Sequence, residues 1–329
     1  MTVRVFTGLK PTGQLQIGNY LGAIRPLCDL AADPDNDVLA CVVDLHALTV
    51  DHDPVRLREL SMELAATLVA CGLDPRARLF VQSSVPAHTE LSYLLESTAT
   101  VGEMTRMVQF KEKSAGGDSM RLSLLTYPAL MAADILVHRT DVVPVGDDQR
   151  QHLELTTTLA RRFNARYGEV FTVPRAVTPV ESARVKDLRN PTTKMGKTGS
   201  DGSGVVYLRD NQDTVSAKVR RAVTDPDPVL TYDPVSRPGV ANLGALLGAL
   251  TGATPTDALA GLHGSSALKR AVTDVLVDTL TPIQERYADL MGDPIELRRL
   301  LDAGREAVAD EALRTVAAAR EAVGLLAIA

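Results

Sequence analysis

Two groups of residues in this 329-residue sequence have types and spacings suited to phosphate chemistry. Gly8, Gly13, Gly18 and Gly22 punctuate the segment TGLKPTGQLQIGNYLG, which follows the apolar run Val3–Thr7. A glycine-rich turn from strand into helix lets backbone approach a ligand closely. The free N–H groups and positive end of the helix that follows suit a triphosphate. The same text serves equally as a plain turn of a doubly wound fold. Far downstream, Lys194 and Lys197 flank Met195 and Gly196 in an irregular stretch. Two ammonium groups there can neutralise charge developing on a departing pyrophosphate. A lone KxxK reads as a solvated basic loop; the glycine loop upstream shifts the reading toward phosphate.

Two further side chains stand out by their surroundings. Asp134 sits in the apolar text LLTYPALMAADIL, where a carboxylate is a cap, an ion-pair partner or a ligand acceptor. His46 follows an apolar run and has Asp44 beside it, which can orient an imidazole. His152 reads as structural, and the remaining histidines carry no assignment. Cys28, Cys41 and Cys71 lie apart, in apolar runs and without metal-type spacing. They read as small buried hydrophobes of a protein kept in a reducing cytoplasm. No metal site is expected from side chains alone.

The elements that must position these groups are legible from pattern. Val3–Thr7, Asp37–Asp44, Ala77–Gln82 and Asp141–Val145 read as strands. Ile17–Ala32, a helix opened by Asp53-Pro54 and closed by Gly72, and Gln149–Tyr167 read as helices. Strand alternating with helix implies a parallel sheet with right-handed crossovers. Residues 86–137 read as a helical insertion, broken by an exposed loop over Lys111–Gly117. Arg175–Ser203 reads as irregular, and after a short strand at Val205–Leu208 everything reads as helix. The formal net charge of −6 is not that of a general nucleic-acid binder, so RNA contact needs local patches. Arg161, Arg162 and Arg166, then Lys218, Arg220 and Arg221, then Arg298 and Arg299 are the available clusters. No stretch has the roughly 20 apolar residues of a membrane helix, and the N-terminus lacks a signal-peptide core.

Taken together, the motifs resemble the tryptophanyl-tRNA synthetases of bacterial type, members of class I. Gln16-Ile17-Gly18-Asn19 stands where that class carries HIGH, and Lys194-Met195-Gly196-Lys197-Thr198 where it carries KMSKS. DLHALTV, MVQFKEKSAG, LLTYPALMAADIL and PVGDDQRQHLELT follow the family text in order. The resemblance implies an α/β fold: a Rossmann-type parallel sheet with helical insertion over residues 1–195. A KMSKS-type loop, helical anticodon-binding domain and C-terminal helix follow over 196–329. It implies activation of L-tryptophan with ATP and Mg2+, then transfer to tRNA(Trp), by a cytoplasmic homodimer. Lys194, Lys197 and Lys113 become the catalytic cations. Lys10, Thr12, Gln16, Gly18, Asn19, Lys111, Gly146, Asp148 and Met195 join the lysines of the second signature around ATP. Asp134 becomes the acceptor of the indole N–H. Phe6, Met131, Val143 and Val145 line the indole slot, Tyr127 and Gln149 hold the α-ammonium, and His46 lies near the carboxylate.

Three positions depart from the family pattern. Gly196 and Thr198 replace serines of the second signature, Lys10 replaces a common glutamine, and Gln16 opens the first signature. Glycine widens the conformational range that loop must give up on ordering. A cation at position 10 is expected to alter the response to tryptophan-mimicking inhibitors, as in a divergent, resistant isozyme. Other readings are a tyrosyl-tRNA synthetase, a related nucleotidyltransferase, which lacks the helical tail, or a non-catalytic paralogue.

Overall fold

The computed structural model describes residues 2–114, 121–146, 149–177, 185–196 and 202–326. β1 (Val3–Leu9) runs through the glycine loop into α1 (Ile17–Asn19), a π-turn at Tyr20–Ile24 and α2 (Arg25–Ala32). β2 (Asn36–Val42) is the apolar run read from the sequence, and its last five residues are buried. α3 (Pro54–Ala70) begins where Asp53 accepts the Arg56 N–H at 2.7 Å. It ends before Gly72, whose φ of +96° is costly for any residue with a Cβ. β3 (Arg78–Val81) then leads into the insertion: α4 (Ala87–Glu96), α5 (Val101–Thr105), α6 (Val108–Ser114) and α7 (Ser123–Leu136). β4 (Val142–Pro144), α8 (Arg150–Tyr167) and β5 (Arg175–Val177) complete the sheet.

The five described strands pair in parallel, in the order β3-β2-β1-β4-β5. The chain builds outward from β1 on one side and then jumps across it. The connections after β1 and β4 therefore diverge, leaving a crevice at their carboxyl ends. Strand alternation divides the core. Val5, Val38, Ala40 and Leu79 face α2 and α3, while Phe6, Leu39, Cys41 and Phe80 face α4, α7 and α8.

The second half is helical: α9 (Gln212–Arg220), α10 (Pro238–Thr251), α11 (Pro255–Leu259), α12 (Gly264–Gly292) and α13 (Pro294–Ala322). α12 packs on α3, α9 and α10. α13 returns to the sheet and lies across β3 and α4. Gly304 permits this approach, because a Cβ there would stand 2.0 Å from the Leu79 carbonyl oxygen.

The structure differs from the pattern reading in three places. Val205–Leu208 does not form a strand; only an isolated bridge joins Tyr207 to Gln16, with the Ile17 N–H donating to Val206 O and Leu208 N–H to Leu15 O. Its partner segment turns into α1 and cannot extend a ladder. β5 was not legible, because as an exposed edge strand it carries no apolar signature. Residues 111–114 continue α6 rather than opening a loop, and the rest of the expected loop, 115–117, lies outside the described residues. Lys111, Glu112 and Lys113 are good helix formers.

Candidate active site

The crevice between β1 and β4 deepens into a cavity of about 340 Å3, a size suited to a small-molecule site. Phe6, Gly8 and Lys10 reach it from the end of β1, and Val143, Pro144 and Val145 from β4. Tyr127, Met131 and Asp134 come from α7; His46 and Gln149 close the rim. All eight residues expected around an amino acid thus meet in one cavity. The spacing of Tyr127, Met131 and Asp134 puts them on one helix face. Lys10 lines the same cavity and bonds Thr49 Oγ1 at 3.2 Å.

Asp134 is 1% exposed, yet it is surrounded by donors. Gln82 Nε2 lies 2.7 and 2.9 Å from its two carboxylate oxygens, His88 Nδ1 2.7 Å from Oδ1, and His46 Nε2 2.9 Å from Oδ2. Burial by itself would raise the carboxyl pKa. Hydrogen bonds donated by His46 and His88 outweigh it and hold the group below the usual carboxylate range. Gln82 is itself oriented, since its Oε1 accepts the Leu45 N–H at 3.0 Å. Asp44 does not orient His46. Its carboxylate binds the Ser83 N–H at 3.0 Å and the Ser83 hydroxyl at 2.5 Å.

Tyr127 Oη lies 2.5 Å from His152 Nε2 and 3.2 Å from Gln109 Oε1. A phenol has one proton. When it goes to Gln109, the imidazole N–H donates into Oη. Burial pushes the Tyr127 pKa up to about 12, so the phenol remains protonated.

On the phosphate side, Gln16 is the N-cap of α1. Its Oε1 accepts the Gly18 N–H at 3.0 Å, and its backbone N–H donates to Asn19 Oδ1 at 3.1 Å. Its Nε2 donates 2.8 Å to the Met195 carbonyl. The two signatures are therefore in direct contact. Met195 is buried and its N–H donates to Val185 O at 3.1 Å, while Lys194 is exposed. Thr12 and Asn19 are exposed beside the loop, as are Gly146 beyond β4 and Lys111 on α6. Asp148, Lys197 and the Lys113 side chain lie outside the described residues. Among the basic clusters, Arg162 is taken by Glu103 at 2.6 Å and Lys218 by Asp210 at 2.6 Å, which removes both as free phosphate contacts. Arg220, Arg221 and Arg298 are exposed.

The sequence model described as tRNA synthetases class I (W and Y) matches residues 1–282. The chain belongs to this family. The tryptophan–tRNA ligase 1 of Streptomyces coelicolor is 52% identical, the match covering 98% of this chain and 97% of that one. The solved tryptophanyl-tRNA synthetase of Mycoplasma pneumoniae superposes with a TM-score of 0.86 at 35% identity, over 99% of each chain. That of Campylobacter jejuni, solved with ADP and tryptophan, gives 0.82 at 29% identity, over 98% of this chain and 100% of that one.

Some residues that shape the site of this class I synthetase escape sequence reasoning. Gln82, His88 and His138 come from distant segments, and nothing local marks them. His152 was legible in principle: it lies three residues after Gln149 on the same helical turn, and so shares its face.

Proposed function

We propose that this class I synthetase is a tryptophan–tRNA ligase. It joins L-tryptophan to ATP as tryptophanyl-adenylate with release of pyrophosphate, then esterifies the amino acid to the 3′ end of tRNA(Trp). The observation that carries the reading is Asp134: a buried carboxylate acceptor in the same cavity as the apolar side chains of Phe6, Met131, Val143 and Val145. An indole has one N–H and needs one acceptor. Phenylalanine brings no N–H to this carboxylate and so lacks the bond that the indole makes.

In this mechanism Phe6, Met131, Val143 and Val145 enclose the indole, and its N–H reaches Asp134. His46 already binds Oδ2, so the indole N–H shares that oxygen or takes the place of His46, which is then released toward the substrate carboxylate. Tyr127, kept as a phenol, and Gln149 hold the α-ammonium. The carboxylate attacks the ATP α-phosphorus in line, and its P–O bond forms as the bond to pyrophosphate breaks. Positioning and charge stabilisation carry such a step. Lys194, Lys197 and Lys113 neutralise the leaving pyrophosphate, with Lys10 and Lys111 near the phosphates. Thr12, Gly18, Asn19, Gly146, Asp148 and Met195 complete the ATP contacts, and Gln16 holds the first signature against the second. The tRNA ribose hydroxyl then attacks the adenylate carbonyl and AMP leaves.

Mg2+ is commonly held by substrate phosphates and water with few protein ligands. Among the described residues no cluster of three or more His, Cys, Asp or Glu could cage a metal ion.

Residues 1–195 form the catalytic unit in this reading, and 196–329 the unit that meets the anticodon, with Arg220, Arg221 and Arg298 among its exposed cations. Tyr93, Val101 and Leu122 are each more than 70% exposed on the insertion, which supports a homodimer through that face. A cytoplasmic location fits three free cysteines and, among the described residues, no helix long and apolar enough to cross a membrane.

Amino-acid-dependent ATP–pyrophosphate exchange with tryptophan, with tyrosine and with neither tests the proposal. Exchange with tryptophan alone is expected. Exchange with tyrosine alone removes the reading, and none at all turns it toward a binding protein.

A further inference from the structure

Behind Asp134, away from the cavity, lies a second buried group. His88 and His138 are both fully buried, and neither lines the slot. His88 Nδ1 is 2.7 Å from Asp134 Oδ1, and His88 Nε2 is 3.1 Å from His138 Nε2. The His138 ring is stacked on Phe6 at 6.1 Å between centroids and set edge-on to Phe80 at 5.4 Å. Its backbone is held as well, because Arg4 donates to the His138 carbonyl at 3.0 Å.

Proton counting restricts this chain. An ionised carboxylate only accepts, so His88 Nδ1 carries a hydrogen. The contact between the two Nε2 atoms needs a single proton. If His138 holds it, both rings are neutral and His138 Nδ1 is a bare acceptor. That nitrogen is buried and has no hydrogen-bond partner among the described residues. Burial pushes the His138 pKa well below its ordinary value, so it does not take a second proton. With both rings neutral the pair has one arrangement: His138 Nε2–H into His88 Nε2, and His88 Nδ1–H into Asp134. An apolar pair would fill this space without orphaning a nitrogen, which a protein interior normally avoids. The arrangement is accounted for if the N–H aimed at Asp134 is what the site requires.

We propose that His88 is a positioning residue for amino-acid selection: it keeps Asp134 ionised and aimed at the indole N–H, and His138 fixes the His88 tautomer that does so. The inference rests on the reading of Asp134 as indole acceptor. His88 touches no substrate; it acts through the carboxylate.

The test compares kcat/KM for tryptophan with that for its isostere in which sulfur replaces the indole N–H. The enzymes are wild type, His88→Leu, His88→Asn and His138→Phe, each checked for thermal unfolding. In His88→Leu, kcat/KM for tryptophan falls about tenfold or more, mostly through KM, as one charge-assisted hydrogen bond is lost. The isostere is unchanged. His88→Asn, whose amide nitrogen can stand near the place of Nδ1, recovers most of the loss. His138→Phe moves the ratio in the same direction as His88→Leu. Equal losses for both substrates in His88→Leu and His88→Asn would show a packing role and overturn the inference, as would a His88→Leu enzyme that selects like wild type. A wild type indifferent to the isostere instead removes the Asp134 reading on which the inference stands.

Discussion

Gln16 Nε2 donates to the carbonyl oxygen of Met195 across 2.8 Å, joining residues 179 positions apart. The link ties the cap of α1 to the segment that carries Lys194, so glycine loop and lysines are positioned together. Gln16 has its amide nitrogen on Met195 and its amide oxygen on Gly18. It therefore organises the site more than it offers a free donor to phosphate. Gln16→Ala is expected to raise the ATP KM and slow pyrophosphate exchange about tenfold, and to cost about 1 kcal/mol of stability through the lost cap. An unchanged ATP KM would show that the two signatures need no such tie.

Asp134→Asn keeps the shape of the side chain but sets an N–H₂ among His46, His88 and Gln82, which all donate toward it. We expect kcat/KM for tryptophan to fall about 100-fold or more, and stability to fall by about 3 kcal/mol as buried donors are left facing an amide N–H₂. Because this chain contains no tryptophan, fluorescence of the added amino acid reports binding directly. Wild-type affinity in Asp134→Asn would exclude the carboxylate from recognition.

Lys10 lines the amino-acid cavity and bonds Thr49. Lys10→Gln is expected to shift both the tryptophan KM and inhibition by indole-bearing tryptophan mimics, about tenfold for the latter, the worth of one charge-assisted contact. Steady-state inhibition measured on both enzymes decides it; identical constants would dissociate position 10 from inhibitor response.

Glu103 and Arg162 bind through two contacts of 2.6 and 3.0 Å, and Glu103 also caps α5. Arg162 first of all holds the Glu103 pKa at about 2, against an ordinary 4.5. The folded value is the lower one. The stabilisation is therefore complete above pH 4.5 and is lost as pH falls from there to about 2. Glu103→Gln should be less stable at neutral pH by up to about 1 kcal/mol, because the pair is partly solvated. Its denaturant midpoint should converge on wild type in acid. A gap independent of pH would place the effect in the cap.

Gly304 lets α13 touch the backbone of β3. In Gly304→Ala the new methyl meets Leu79 O at 2.0 Å and cannot be absorbed by a rotamer change. A loss of about 1–3 kcal/mol is expected, read as a lowered urea midpoint. An unaffected midpoint would mean that α13 is not tightly docked.

What the amino-acid sequence determined by itself was local. Apolar, β-branched runs marked β1 to β4, and Asp53-Pro54 and Gly72 bounded α3, because caps and burial patterns act within a few residues. The motif text placed Asp134, Tyr127 and Lys194 in a family, and with them a fold. What only the tertiary structure decided was which distant groups meet. Phe6, His46, Tyr127, Val143 and Gln149 share one cavity because the strand order reverses between β1 and β4. β5 stayed hidden because an exposed edge has no hydrophobic period. Asp44 turned to Ser83, and His46 to Asp134. The pairs Gln16–Met195, Asp134–His88 and His88–His138 left no mark in the sequence, since a hydrogen bond between remote side chains depends on packing geometry and not on local propensity.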